Sequence, residues 1–169
     1  MTPPQSATAQ PFEDELTALL PRLRRFAHGL SRSPADADDL TQMTIERALR
    51  ARAQWQPGTR LDSWLYTIMR NQWIDTVRSR GRRDKVEAPP EEAETLGHDP
   101  RPGIEAAFDL QRVMAAMEQL PDEQREIVAL ILIEGFGYRE AAELLGLPIG
   151  TVSSRLVRGR TALLRLLGE

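Results

Sequence analysis

The chain contains no cysteine, and that absence excludes a disulfide framework, a thiolate zinc site and an intrinsic thiol switch. Histidine is almost as scarce. His28 and His98 stand far apart and lack the short spacing of paired metal ligands. Aromatic residues make up only 5% of the chain. No apolar run approaches the ~18 residues that cross a bilayer. The start, Met1 to Pro11, is polar and carries proline. It lacks the basic stretch followed by an apolar run that marks a signal peptide. These absences predict a cytoplasmic protein without membrane insertion. A nucleophile paired with a base, a glycine-rich phosphate loop and a metal-ligand cluster are also missing. The expectation is therefore no enzyme and no cofactor.

What is present is charge, unevenly spread. The net charge of −3 argues against nucleic acid at first sight. Up to Lys85, however, 14 basic residues face 10 acidic ones. From Val86 to Asp109 a single Arg faces 7 acidic residues, and from Ile149 to the end four Arg face one Glu. Phosphate contact depends on such local basic faces, whereas the summed charge bears mainly on solubility.

Hydrophobic spacing predicts an all-α chain of two small helical domains joined by a flexible acidic linker. The stretch EAPPEEAETLGHDPRPG is rich in Pro, Glu and Gly and cannot bury enough apolar surface to offset its ordering entropy. The expected division is a disordered tail at 1–11, a first domain at 12–84, a linker at 85–108 and a second domain at 109–169. The first domain reads as four helices. One runs from Phe12 to Leu30, with Leu16, Leu19, Leu20, Leu23, Phe26 and Leu30 at steps of three and four. A second opens on Ser33-Pro34-Ala35-Asp36, with Ser at the N-cap and Pro in the first turn. It runs to about Ala53. After Pro57-Gly58, Thr59-Arg60-Leu61-Asp62 reads as another cap. Leu61, Leu65, Met69, Trp73 and Val77 then step down a long stretch, bent or broken near Asn71. The second domain also reads as four helices: a stripe from Leu110 to Leu120, a helix after Pro121 that ends at Glu134-Gly135-Phe136-Gly137, a short helix from Tyr138 to Leu145, and a longer one from Ile149 to Leu167.

Tyr138 to Arg160 fits a helix-turn-helix. Ala141 and Ala142 are small where two helices cross, Gly146 suits the tight turn, and Leu147 fills the elbow. Val152 and Leu156 point inward. Ser153, Ser154, Val157 and Arg158 point outward, flanked by Arg155 and Arg160, a set that can enter a major groove. The plainer reading is a helical hairpin with a solvated arginine face, and spacing alone leaves both open.

Four motifs then carry a resemblance. Ala37-Asp38-Asp39-Leu40-Thr41-Gln42-Met43-Thr44-Ile45-Glu46-Arg47-Ala48-Leu49 is similar to the segment A-E-D-L-V-Q-E-T-F-x-R-A-W of extracytoplasmic-function (ECF) members of the sigma-70 family. Trp64-Leu65-Tyr66-Thr67-Ile68-Met69-Arg70-Asn71 matches their W-L-Y-x-I-x-x-N. Leu120, Pro121, Arg125 and Glu126 match L-P-x-x-x-R-E. Gly150, Thr151, Val152, Ser154, Arg155, Leu156, Arg158 and Arg160 match G-T-V-x-S-R-L-x-R-x-R. The order and spacing of the four cover nearly the whole chain apart from tail and linker.

The resemblance implies an RNA polymerase sigma factor that directs transcription initiation in a stress response under an anti-sigma factor, and that is a monomer when free. Its partners would be core polymerase, through the beta-prime clamp and the beta flap, and promoter DNA. Asp36, Asp38, Asp39, Gln42, Met43 and Glu46 would meet the clamp. Trp64, Asn71, Trp73, Arg78, Arg80, Arg82 and Arg83 would serve the −10 element, with the loop from Gln54 to Ser63 capturing an unpaired base. Thr151, Ser153, Ser154, Arg155, Val157, Arg158 and Arg160 would read the −35 element. The acidic linker resembles the segment that threads the polymerase cleft toward the RNA exit path. Plainer roles stand beside these: Trp64 and Trp73 as core, Asn71 as surface, Asp38 and Asp39 as helix-start residues. Three positions depart from the pattern. Met43 replaces a usual Glu, Ser153 a usual Lys or Arg, and Gly137 a usual Ser or Thr cap. The rival functions are a helix-turn-helix regulator that works without polymerase and a sigma mimic that titrates an anti-sigma factor.

Overall fold

Hydrophobic spacing builds the first half as three helices packed on one another. The computed structural model describes residues 9–83 and 104–168, with side chains from 11 to 83 and from 109 to 168. Among them the chain forms helices and turns and no strand. Helix α1 spans Ala9–Leu30, α2 Pro34–Arg50 and α3 Leu61–Arg83, with a 3-10 turn at Arg52–Gln54. Phe12, Leu16, Leu23, Phe26 and Leu30 of α1 are buried against Ala37, Leu40 and Ala48 of α2 and Leu61, Leu65, Tyr66 and Met69 of α3. The expected break near Asn71 is absent, because α3 runs unbroken through it. The three- and four-residue spacing continues there, and neither Pro nor Gly interrupts it before Gly81.

Two capping expectations had different outcomes. Ser33 caps α2 by accepting from the Asp36 amide at 3.1 Å, with Pro34 in the first turn. Thr59 does not act on α3. Its hydroxyl donates to the Gln56 carbonyl at 2.6 Å and closes the preceding turn.

The second half comprises α4 (Ile104–Glu118), α5 (Asp122–Val128), α6 (Tyr138–Leu145) and α7 (Ile149–Leu167). Residues 104–108, expected as linker, are helical, as are residues 9–11, expected as tail. The rest of the tail and linker lies outside the described residues. Helix α5 passes directly into a π-helical turn, Ala129–Ile133. The Glu134 amide there donates to the Ala129 carbonyl at 3.0 Å. Such turns are rare and interrupt the α-helical register.

The two halves pack against each other. Gly29 of α1 meets the π turn so closely that a Cβ on it would lie 2.8 Å from that of Ala129. The Tyr66 ring lies between Phe26, 4.6 Å away, and Phe136 of the second half, 5.3 Å away. Arg125 is buried, and its guanidinium donates to the Leu30 carbonyl at the end of α1 from Nε at 3.2 Å and Nη2 at 2.9 Å.

Candidate nucleic-acid interface

The helix-turn-helix forms from α6 and α7. Ala141, Ala142 and Leu145 of α6 pack on Val152 and Leu156 of α7, all buried. Gly146 adopts φ +63 between them, a left-handed conformation that is strained for any residue with a Cβ. At Gly159 a Cβ would lie 2.8 Å from Val128 Cγ2, so α7 crosses α5 at a position that only hydrogen fits. The opposite face of α7 is open. Val157 is 60% exposed, and Ser154, Arg158 and Arg160 are exposed with it. Thr151 and Ser153 are half-buried. Arg155 is half-buried too, and its Nη2 pairs with Glu123 Oε2 at 2.9 Å.

Gly137 leads into α6 without a side-chain oxygen to cap it. Glu140, three residues on, compensates by accepting from the Gly137 amide at 2.9 Å. Its other carboxylate oxygen pairs with Arg60, in the loop before α3.

On α3 the seven-residue spacing of Trp64, Asn71 and Arg78, with Arg82 four further on, returns to nearly one helix face. Asn71, Arg78 and Arg82 are exposed there. Trp64 is half-buried, its ring edge-on to Phe12 with centroids 6.4 Å apart. It therefore belongs partly to the core while keeping surface on that face. Trp73 lies off this face, half-buried against the core. Arg83 is exposed.

Arg80 turns to α2 and pairs with both carboxylate oxygens of Asp36, at 2.6 and 2.8 Å. The Arg80 hydrogen bond, which prevails over burial, holds the Asp36 carboxyl below its usual range. Asp36 and Arg80, expected to serve polymerase and DNA respectively, thus serve each other in this structure. Asp38, Asp39, Gln42, Met43 and Glu46 remain exposed along α2, with Met43 at 40%. The Gln42 amide donates to Glu46 at 3.3 Å.

Spacing did not reveal the polar cluster between the two halves. Glu134 is buried, and its carboxylate accepts from Arg22 Nε at 3.2 Å, Arg25 Nε at 2.8 Å and the Tyr66 hydroxyl at 2.7 Å. Burial, reinforced by the Glu134 carboxylate, pushes the Tyr66 phenol well above its usual range, so it remains a donor. Arg70 of α3 pairs with Glu126 of α5. Burial raises the Glu126 carboxyl against that attraction. Arg32 pairs with Asp122 at 3.0 Å. The sequence signal for Arg125 and Glu126 was their place in a motif, and nothing in the pattern pointed to their partners.

Comparison with known proteins identifies this architecture. Residues 16–83 match the family model of sigma-70 region 2, and residues 110–163 match that of sigma-70, region 4. The chain belongs to the sigma-70 family. Its relatives place it in the ECF group. It is 40% identical over 156 residues to the ECF RNA polymerase sigma factor EcfG of Rhodopseudomonas palustris, covering 92% of this chain and 84% of that protein. It is 33% identical over 159 residues to the RNA polymerase sigma factor CarQ of Myxococcus xanthus, covering 94% and 90%. Among solved structures, it resembles the sigma factor RpoE in complex with the anti-sigma factor NepR from Bartonella quintana. That match has a TM-score of 0.84 at 36% identity and covers 95% of this chain and 98% of the other. CnrH in complex with the cytosolic domain of CnrY follows, with a TM-score of 0.66 at 26% identity over 93% and 87%. In this ECF sigma factor, α1 to α3 are region 2 and α4 to α7 are region 4. Among the described residues no helix is long and apolar enough to cross a membrane.

Proposed function

We propose that this ECF sigma factor binds core RNA polymerase through the exposed face of α2, melts and holds the −10 element with α3 and the loop before it, and reads the −35 element with α7. The observation that carries this reading is the presence on one chain of two open polar faces. One is Asn71, Arg78 and Arg82 on α3, and the other is Ser154, Val157, Arg158 and Arg160 on α7.

The physical account is a division of labour. On α7, arginines hold phosphates and set register, while base contacts add ~1–3 kcal/mol each. Around α3, an extruded base is held in a pocket whose contacts offset an unstacking cost of a few kcal/mol. Each region alone binds weakly. Fixing both on polymerase turns the second contact into an intramolecular one and raises the joint affinity. The sigma factor does no chemistry itself, and the polymerase makes the phosphodiester bonds. An anti-sigma factor covering the α2 face would block the first of these contacts. The acidic stretch between the regions would enter the polymerase cleft, and its action is in the cytoplasm.

Run-off transcription with the purified chain and sigma-free core polymerase tests the reading. Discrete transcripts are expected, and they should vanish with Asn71→Ala or Arg158→Ala. A folded chain that never binds core polymerase would leave the rivals, a polymerase-independent regulator or a mimic that titrates an anti-sigma factor.

A further inference from the structure

Helix α2, proposed to meet polymerase, and helix α3, proposed to hold the −10 element, are joined along a polar seam with two fasteners. Gln72 of α3 reaches α2 with both ends of its amide. Its Nε2 donates to the Met43 carbonyl at 3.1 Å, and its Oε1 accepts from the buried Thr44 hydroxyl at 3.0 Å. The same hydroxyl lies 2.7 Å from the Leu40 carbonyl of its own helix. The second fastener is Arg80 of α3, paired with both carboxylate oxygens of Asp36. Gln72 and Arg80 are eight residues apart on α3, and Thr44 and Asp36 are eight apart on α2. The fasteners therefore stand at matching heights on two helices that run in opposite directions, about 12 Å apart along each axis.

Each fastener has one working orientation. If the Gln72 amide were turned over, its Oε1 would face the Met43 carbonyl, acceptor against acceptor. The Arg80 fork meets Asp36 with two donors at once, which fixes direction as well as distance. Between the fasteners Ala37 and Leu40 are buried, and apolar contact is non-directional. Those side chains hold the helices together without dictating how each is turned. Two directional contacts at separate heights fix both the rotation and the axial register.

The consequence falls on the outward faces. Asn71 and Gln72 are neighbours, so their side chains leave α3 about 100° apart. With Gln72 held against α2, Asn71 and Arg78 are turned to the open side, where both are exposed. On α2, Met43 stands in the same relation to Thr44, and it is exposed with Asp39. A slip of one residue along the seam would turn Asn71 by about 100° and move it by ~1.5 Å. A working site tolerates displacements of only about 0.5 Å. With α2 on polymerase, the angle between these two faces decides whether the −10 strand meets Asn71.

We propose that Gln72 and the Asp36–Arg80 pair are positioning residues for promoter opening. They act on the −10 strand through the rotation of α3 on α2, and Asp36 and Arg80 act through each other. The proposal rests on the sigma-factor reading and goes beyond it by giving Asp36 and Arg80 a task inside region 2.

Exchanging the charges separates positioning from direct contact. Asp36→Arg and Arg80→Asp are made singly and together, and run-off transcription is measured with core polymerase. Each single change sets like charges together and is expected to lower transcript about tenfold. The double change restores the pair in reverse and should return transcript to within about threefold of the wild type. If Asp36 met polymerase and Arg80 met DNA, the two losses would compound. A folded double variant no better than the single ones would overturn the proposal.

Gln72→Met keeps the bulk and removes both hydrogen bonds. Affinity for core polymerase is expected to stay within about twofold, while opening, read from 2-aminopurine fluorescence within the −10 element, falls about tenfold. Circular dichroism at the assay temperature checks the fold. Unchanged opening, or equal loss of both in a folded variant, would overturn the role of Gln72. A wild-type chain that neither binds core polymerase nor yields transcript would remove the sigma-factor reading and positioning with it. An active wild type with an inactive double variant removes positioning alone.

Discussion

Arg155 Nη2 stands 2.9 Å from Glu123 Oε2, which ties the middle of α7 to the start of α5. Its neighbour Arg158, one turn on, is exposed and makes only a weak return to the Ser154 carbonyl at 3.3 Å. Two arginines of one motif thus have different occupations. Arg158→Ala is expected to weaken −35 binding by about 1–3 kcal/mol, roughly fivefold to 150-fold. Arg155→Ala should change it much less and alter stability by no more than ~1 kcal/mol, as for other part-exposed pairs. Binding of polymerase holoenzyme to promoter duplexes, measured for both variants at one salt concentration, checks the order.

Gly159 gives a packing prediction. An added methyl would press 2.8 Å from Val128 Cγ2 and 3.3 Å from Gln124 Cβ. The favourable helix propensity of Ala, about 1 kcal/mol, is then opposed by overpacking of ~1–3 kcal/mol. Gly159→Ala is expected to lower the denaturation midpoint of region 4. A stabilised variant would show that α5 and α7 separate freely.

Arg125 is 1% exposed and donates to the Leu30 and Leu120 carbonyls and to Asp122. Its removal leaves buried acceptors without partners, each costing ~1–3 kcal/mol. Arg125→Ala should destabilise by about 2–4 kcal/mol in chemical denaturation. Arg125→Lys should recover little of this, since an ammonium cannot match the planar fork that serves these acceptors.

The carboxylates predict two opposed pH dependences. Asp36 is lowered by Arg80. At Asp122 burial is outweighed by Arg32 and Arg125, and at Asp62 it is outweighed by Arg60, the Ser63 amide and Arg22. Their folded-state values lie below the ordinary 3.8, so their contribution is present above that pH and is lost as pH falls through the folded values. Asp36→Asn should therefore flatten the acid limb of a stability–pH curve.

Glu126 runs the other way. Burial raises it above the ordinary 4.5 despite Arg70, so its ionisation costs stability as pH rises through the folded value. Glu126→Gln is expected to be neutral or stabilising at pH 7 although it breaks the pair with Arg70. Thermal unfolding of both variants across pH 3 to 8 checks the signs.

Local rules made the helices legible. The three- and four-residue spacing of Leu16, Leu23, Phe26 and Leu30 required a helix with one buried face, and those side chains are buried. Ser33-Pro34 and Gly146 fixed a start and a turn, because a cap oxygen and a left-handed backbone are short-range requirements. The inward face of α7 followed from the same period, whereas the expected stripe on α3 ends early: Leu61, Leu65 and Met69 are buried but Val77 is exposed, because the last turns of α3 run past the core. Thr59 and Asn71 were misread, since a cap sequence does not specify which turn its hydroxyl closes, and a polar residue is no helix breaker.

The sequence by itself determined the helices, most of their buried faces and, through ordered motifs, the family, although Val77 and Leu110 of the expected stripes are exposed. Only the tertiary structure decided the partners of the charged residues. Arg80 with Asp36, Arg155 with Glu123, and Glu134 with Arg22, Arg25 and Tyr66 join residues far apart in the chain. Helical periodicity states which face a residue occupies. It carries no information on which distant helix will meet that face, since that depends on the packing angles of whole helices and on a register shift such as the π turn before Glu134.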